Sequence, residues 1–522
     1  MTSVTTRTGA TVVRGAIALI FSTVASSVLG VLFWLVGARV YTPEQLGRAA
    51  AAVSAITLLS GLAQMSLSTV LVRFLPTAGS ATGRMLGYSQ AAVASVSVIL
   101  AAGFWLLGFG ADYLPAGQWP FLLFCATVAA FTMTAVHDGA FTGLGRTRWV
   151  PVRTVGSATA RLVLLVVLAG GGLATPVLLG WSLPTIAVAV LTCAALLLPR
   201  LRAPRFPARE ELPTRGELVH FVGAQYLSGI VSSIGNYAPP LIVTAVLGPA
   251  VNGTSFYIPW LVWTVAAAMS WNVVVAFVVA VAKEPAAPRA HLWHTFRLLF
   301  AINVVGGALL VVGAPYLLAA LGPQYAEGGT GPLRMLGLAL PFAVPGLLYS
   351  AAAIIRKRPW ATLWLGLAGT SMFLGSASWA VGRYGVMGVG VAALVCQVVL
   401  ALAILPATVR QLRALLAEGE QAARRDAAAP VPTVRGVARV PRIGPGAEAG
   451  PVAVVFFPAE VGEWLASAET VHFTRIGRES SVGETTTRLP RFRDGGTSRH
   501  RESTDSTVPQ PRASSEHDHR GP

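Results

Sequence analysis

Arg153, Ser157 and Arg161 stand at i, i+4 and i+8 in an apolar stretch, a spacing that puts all three on one face of a helix. Gly156 and Ala160 flank them and let a neighbouring helix approach closely. At 1.5 Å per residue, Arg161 lies about 15 Å from the start of a helix that begins near residue 151. A guanidinium at that depth keeps its charge and offers a rigid fork of donors, which suits a phosphate or carboxylate. Ionisable residues inside a membrane are costly and face a cavity or a partner, so Arg161 is the leading candidate for an anion-binding residue. The alternative is structural: an arginine paired with Asp138 or with helix carbonyls, or one that reaches back toward the headgroups along its own stem.

Other polar residues fall into stripes or sit at helix ends. Arg39 and Arg73 end the first two apolar runs and Arg48 opens the outer end of the second; such residues commonly anchor helices at headgroups. With Gln64, Asn236 and Arg161, Arg39 and Arg73 form the candidate substrate-binding set. Ser22, Ser26 and Gly30, then Ser60, Gln64 and Ser68, then Gln225, Ser232 and Asn236 run in stripes that suit either a wet cavity or close packing through small residues. Asn236-Tyr237-Ala238-Pro239-Pro240 predicts a kink or unwound turn, because each proline removes a backbone donor and restricts the residue before it. Pro239 and Pro240 are therefore gating candidates, together with Asp138 and Arg153 as a pair that closes in one state. Pro341 and Pro345 predict a second flexible point.

Eight acidic residues precede position 410, and of these Asp138 lies close to a membrane span. The first and seventh runs hold no carboxylate, which disfavours a cation-coupled exporter. The 522 residues are 54% hydrophobic and 12% charged, with a mean hydropathy of +0.63, far from the roughly one-quarter charged composition of soluble domains. Cys125, Cys193 and Cys396 sit in apolar runs and give neither a disulfide framework nor metal-ligand spacing. No phosphate loop, HExxH or dinucleotide fingerprint is present. No enzyme activity, catalytic residue, metal, cofactor or nucleic-acid partner is expected.

Twelve runs are long enough to cross a hydrocarbon core of about 30 Å: 15–38, 48–72, 85–109, 119–141, 151–172, 176–198, 218–246, 253–281, 293–320, 331–355, 359–381 and 386–409. With the N-terminus inside, 18 Lys and Arg fall on the inner side against 4 outside, which predicts cytoplasmic N- and C-termini. The expected fold is an all-α polytopic membrane protein with about twelve transmembrane helices. It divides into a cytoplasmic segment 1–14, a six-helix lobe 15–198, a cytoplasmic linker 199–217, a second six-helix lobe 218–409 and a disordered cytoplasmic tail 410–522. A shift of 206 residues brings Ser22, Ser26, Ser27, Val40, Pro43 and Gly47 onto Ser228, Ser232, Ser233, Val246, Pro249 and Gly253. The V-x-x-P-x-x-x-G turn is the most specific part of that repeat. Because each half has an even number of spans, the repeat predicts pseudo-two-fold symmetry about an axis along the membrane normal, with a substrate site between the lobes. The tail carries 16 Arg and 14 acidic residues, a composition that predicts disorder.

The stretch FSTVASSVLGVLFWLVGARVYTPEQLGRAAA, followed by LSTVLVRFLP, resembles the opening of polysaccharide-repeat flippases, the lipopolysaccharide or O-antigen exporter group of the multidrug/oligosaccharidyl-lipid/polysaccharide superfamily. HDGAFTGLGRTRWVPVRTVGSATARLVLL is similar to the fourth-to-fifth-helix region of the same group. The resemblance covers roughly residues 10 to 410 and lacks a short catalytic signature. It implies movement of an undecaprenyl-pyrophosphate-linked oligosaccharide across a bacterial plasma membrane, with a polysaccharide polymerase and glycosyltransferases as partners. The competing expectations are a cation-coupled multidrug exporter of the same fold, a membrane glycosyltransferase or polymerase, and a non-transporting scaffold for polysaccharide assembly.

Overall fold

The computed structural model describes residues 25–171, 175–198, 215–283 and 288–428. The 1–14 segment, Ser22, most of the 199–217 linker and the tail beyond Ala428 lie outside the described residues. Among those described, the architecture is helical: α1 (Ala25–Val40), α2 (Pro43–Ala63), α3 (Leu67–Phe74), α4 (Thr82–Leu106), α5 (Gln118–Gly143), α6 (Trp149–Val167) and α7 (Pro176–Leu197) form the first half. The second half comprises α8 (Arg215–Leu247), α9 (Tyr257–Lys283), α10 (Pro288–Phe300), α11 (Gly306–Ala319), α12 (Pro323–Ile355) and α13 (Pro359–Ala428). A π-helical turn at Ala301–Val305 joins α10 to α11 as one span. Gly385, at φ +61°, divides α13 into two. Among the described residues, ten helices are long and apolar enough to cross a membrane, Ala25–Val40 is a shorter apolar helix, and the break at Gly385 divides the longest of the ten into two.

Helix α2 is the most buried of the long apolar helices among the described residues. Thr42 starts it with a reciprocal capping box, its side chain accepting from the Gln45 amide while the Gln45 side chain accepts from the Thr42 amide, both at 3.3 Å. The run from Ala49 to Ile56 is buried throughout. Such small side chains let backbones approach where lipid supplies no hydrophobic drive between helices. Hydroxyls on this helix are satisfied locally: Ser54 and Ser60 donate to the carbonyls of Ala50 and Ile56 at 2.8 and 2.7 Å. Helix α2 packs on α4, α5 and α7 of its own half and on α8 of the other.

The repeated turn sits at the junction of the halves. A Cβ on Gly47 would overlap the Pro249 carbonyl, and one on Gly253 would overlap the Pro43 carbonyl. Each copy of the motif thus docks on the other, the self-complementary contact that a two-fold axis generates. Asn252 adds a bond from Nδ2 to the Gly47 carbonyl at 3.3 Å. Two further bonds tie the halves at the same outer end: the Tyr325 hydroxyl donates to the Ala38 carbonyl at 3.1 Å, and the Arg39 guanidinium donates to the Ala320 carbonyl. Inner and outer follow the orientation predicted by the basic loops.

Two expectations are corrected. Of the two alternatives expected at Pro239 and Pro240, a kink or an unwound turn, the unwound turn is excluded, because α8 stays helical through both prolines. The carbonyl of Asn236, which Pro240 deprives of its helical donor, accepts instead from Trp260 Nε1 at 2.9 Å. The discontinuity lies in the second span, where Met65 and Ser66 adopt φ of +48° and +52° between α2 and α3. The last helix runs on past 410 to Ala428; Leu415 is buried there, and Glu418 accepts from Arg356 Nε at 3.1 Å.

Candidate functional site

Helix α6 turns the face bearing Arg153, Ser157 and Arg161 toward α5 and α7. Arg153 meets Asp138 of α5 in a two-pronged pair, Nε to Oδ1 at 3.1 Å and Nη2 to Oδ2 at 2.5 Å. Ser157 is buried in the turn between the two arginines. Two turns along from Arg153, the Arg161 guanidinium lies 4.3 Å over the Trp181 ring of α7 and 5.9 Å from the Phe131 ring of α5. Its Nη2 donates to Thr185 Oγ1 at 2.9 Å, and Thr185 passes its own proton to the Trp181 carbonyl at 2.6 Å.

The electrostatics of this seam are unbalanced. Two arginines face one carboxylate, and the fork of Arg153 occupies that carboxylate. Arg161 is held by neutral groups, a hydroxyl and two aromatic faces, and its Nε is buried without a hydrogen-bond partner among the described residues. Cation–π contacts offset part of the desolvation cost, but no described anion neutralises this charge. A bound phosphate or carboxylate would supply the missing acceptor.

A cavity of about 340 Å³ lies on the outer side of this clamp, bordered by Ile56, Trp119, Phe124, Thr127, Leu178 and Ser182. Phe131 follows Thr127 by four residues on α5 and Thr185 follows Ser182 by three on α7, so the clamp continues the same two stripes one turn deeper. The Ser182 hydroxyl is buried and unpartnered among the described residues.

The five substrate-binding candidates are not brought together. Arg161 lies inside the first half. Arg39 is exposed at the outer end of α1, where it caps the carbonyl end of α11. Arg73 is exposed at the opposite, inner end, with its guanidinium 5.4 Å from the Phe74 ring. Gln64 caps α2 at the break, and the amide of Asn236 donates to Ser232 of its own helix, to the carbonyl at 2.9 Å and the hydroxyl at 3.3 Å. Of the gating candidates, Asp138 and Arg153 pair with each other, while Pro239 and Pro240 are buried within α8.

Sequence reasoning missed the aromatic clamp, since Phe131 and Trp181 are ordinary apolar residues until the helices pack. It also missed His137, fully buried with both ring nitrogens unpartnered among the described residues. The dipeptide His137-Asp138 inside an apolar run was the available signal. Among the described residues, no group of three or more His, Cys, Asp or Glu lies together as a metal site would require.

No protein-family model matches the sequence, and no curated protein matches it significantly. Solved structures do match in fold. One described as the inward-facing conformation of a multidrug resistance MATE family transporter of the MOP superfamily aligns at TM-score 0.57 and 16% identity, covering 75% of this chain and 95% of that one. A MOP superfamily transporter from Pyrococcus furiosus, described as having a binding pocket of reverse polarity, aligns at TM-score 0.52 and 16% identity over 77% of this chain and 96% of that one. MATE in complex with MaD5 gives 0.50 and 18% over 78% and 96%. The chain therefore has the MATE-like, all-helical multi-pass fold of MOP superfamily transporters.

Proposed function

We propose that this protein is a flippase that moves an undecaprenyl-pyrophosphate-linked oligosaccharide from the inner to the outer leaflet of a bacterial plasma membrane. The observation that carries this reading is Arg161: a charged group at membrane depth, held by neutral partners, with a free buried donor. Sugar and pyrophosphate cannot cross hydrocarbon unaided, whereas a prenyl chain can stay in lipid if the path opens sideways between the lobes. The lobes alternate by parting at one end while closing at the other. The outer closure that must part is the Gly47/Gly253 contact with the bonds of Arg39, Tyr325 and Asn252.

Within this cycle Arg161 binds the anionic headgroup, and Arg153 exchanges Asp138 for substrate in the other state. Arg39 acts as an outer latch in the present state, and Arg73 and Gln64 meet substrate at the inner half. Asn236, beside Pro239 and Pro240, faces the sugar from the second lobe. An inside-negative potential favours the outward movement of each negative charge by about 2.3 kcal/mol per 100 mV, so no coupling ion is needed. The N-terminus and the end of α13 are assigned to the cytoplasm on the distribution of basic residues.

The second reading is multidrug export, the activity in the description of one structural neighbour. The charge inventory favours the first: the seam holds two arginines to one carboxylate, a net positive charge that repels an organic cation. Cells lacking the protein separate the two. Accumulation of prenyl-linked oligosaccharide on the cytoplasmic face, relieved by the wild-type chain, supports the flippase. Unchanged lipid-linked sugar with heightened sensitivity to cationic drugs supports the exporter.

A further inference from the structure

The second span is broken at a point that the other lobe holds. In a continuous helix the Leu62 carbonyl accepts from the amide of Ser66, four residues on. Here Met65 and Ser66 are both left-handed, a conformation that costs a non-glycine residue roughly 1 kcal/mol or more. Two such residues in succession persist where their surroundings impose them. The amide of Leu67 turns back to Gln64 at 3.0 Å, and the Leu62 carbonyl accepts at 2.7 Å from the hydroxyl of Tyr226, on α8. One residue earlier on α2, Gly61 has no room for a Cβ, because Ser233 of α8 fills that space. The strained segment and its partner therefore belong to different lobes.

The geometry points to Tyr226 as a positioning residue that couples the lobe arrangement to the shape of the second span. With the lobes together at this point, Tyr226 takes the Leu62 carbonyl and residues 62–66 stay broken. When α8 moves away, the carbonyl loses its acceptor role toward Tyr226 and takes the Ser66 amide. Met65 and Ser66 then return to right-handed values and α3 realigns with α2. Helix α3 packs through Ser68 and Leu71 against Gly139 and Gly143 of α5, the helix that carries Asp138. Rewinding therefore shifts the contact beside the Asp138–Arg153 pair and carries Arg73 to a new position at the inner end. The inference needs the lobes to move but does not depend on what is transported.

The test uses the full chain in lipid nanodiscs, without substrate. Cys125, Cys193 and Cys396 are replaced, and spin labels are placed at Arg73→Cys on α3 and Tyr88→Cys on α4, both exposed positions. Tyr226→Phe is expected to raise the population of a second label distance relative to the first about fivefold, the equivalent of one neutral hydrogen bond. Adding Met65→Gly and Ser66→Gly, which tolerate the left-handed turn without strain, is expected to return the distribution to the wild-type one. If Tyr226→Phe does not fold, Ser66→Val provides the same shift, because a β-branched residue resists positive φ. A distance distribution unaltered by the variant used, or, in the Tyr226→Phe protein, a second distance that the glycines fail to reverse, overturns the inference. Because no substrate is present, the result stands apart from the flippase reading.

Discussion

Arg161 and the Asp138–Arg153 pair look alike in sequence, as charges in apolar helices, but they respond oppositely to substitution. Arg161→Ala removes a charge that has no described counter-ion, so the protein is expected to fold and reach the membrane at wild-type levels while transport falls at least tenfold. Arg161→Lys is expected to recover part of the loss, since a lysine restores the charge without the fork. Asp138→Asn instead leaves Arg153 without its carboxylate. Breaking a fully buried pair costs about 3–5 kcal/mol and this one is partly buried, so the thermal unfolding temperature of the purified protein should fall by a smaller but measurable amount, and Asp138→Asn with Arg153→Gln should recover most of it. Equal destabilisation by Arg161→Ala and Asp138→Asn would contradict the distinction. The i, i+4, i+8 spacing was legible because helical periodicity alone puts three residues on one face. The partners of that face were not: whether Arg161 met a carboxylate or an aromatic ring depended on how α5 and α7 packed.

At the level of elements, the repeated turn was readable and its purpose was not. Gly47 and Gly253 matched at a shift of 206 residues because each is squeezed by the carbonyl of the other copy's proline. Gly47→Ala and Gly253→Ala are therefore expected to have the same effect, prising the outer end apart and raising thiol labelling of a cysteine placed at Ala38. A large difference between the two variants would count against the reciprocal contact. Pro239 and Pro240 left a kink and an unwound turn open because a proline removes a donor but does not say whether a neighbour replaces it. Trp260 does so from the next span, and Trp260→Phe should cost about 1 kcal/mol by stranding the Asn236 carbonyl. The break at Met65 and Ser66 left no mark in sequence, since neither is a residue expected at positive φ.

For the whole molecule, the expected apolar runs coincide with the apolar helices among the described residues because the length of a span is set by the bilayer and satisfied by helices alone. Charge composition placed the end of the last span at 409, yet the helix continues to Ala428, since Leu415 packs against the inner ends of neighbouring helices and Glu418 pairs with Arg356. A truncation after 412 is thus expected to destabilise the protein, and one after Ala428 to leave transport intact.

The central claim, that Arg161 receives the anionic headgroup of a lipid-linked oligosaccharide, is tested most directly in proteoliposomes holding a prenyl-pyrophosphate-linked oligosaccharide. Its sugar is scored by accessibility to an external lectin, with wild-type or Arg161→Ala protein and an imposed potential of either sign. The account predicts transfer by the wild type that rises when the potential drives negative charge in the direction of transfer, and little transfer by Arg161→Ala at equal incorporation. Equal transfer by both proteins, whatever the potential, would contradict it.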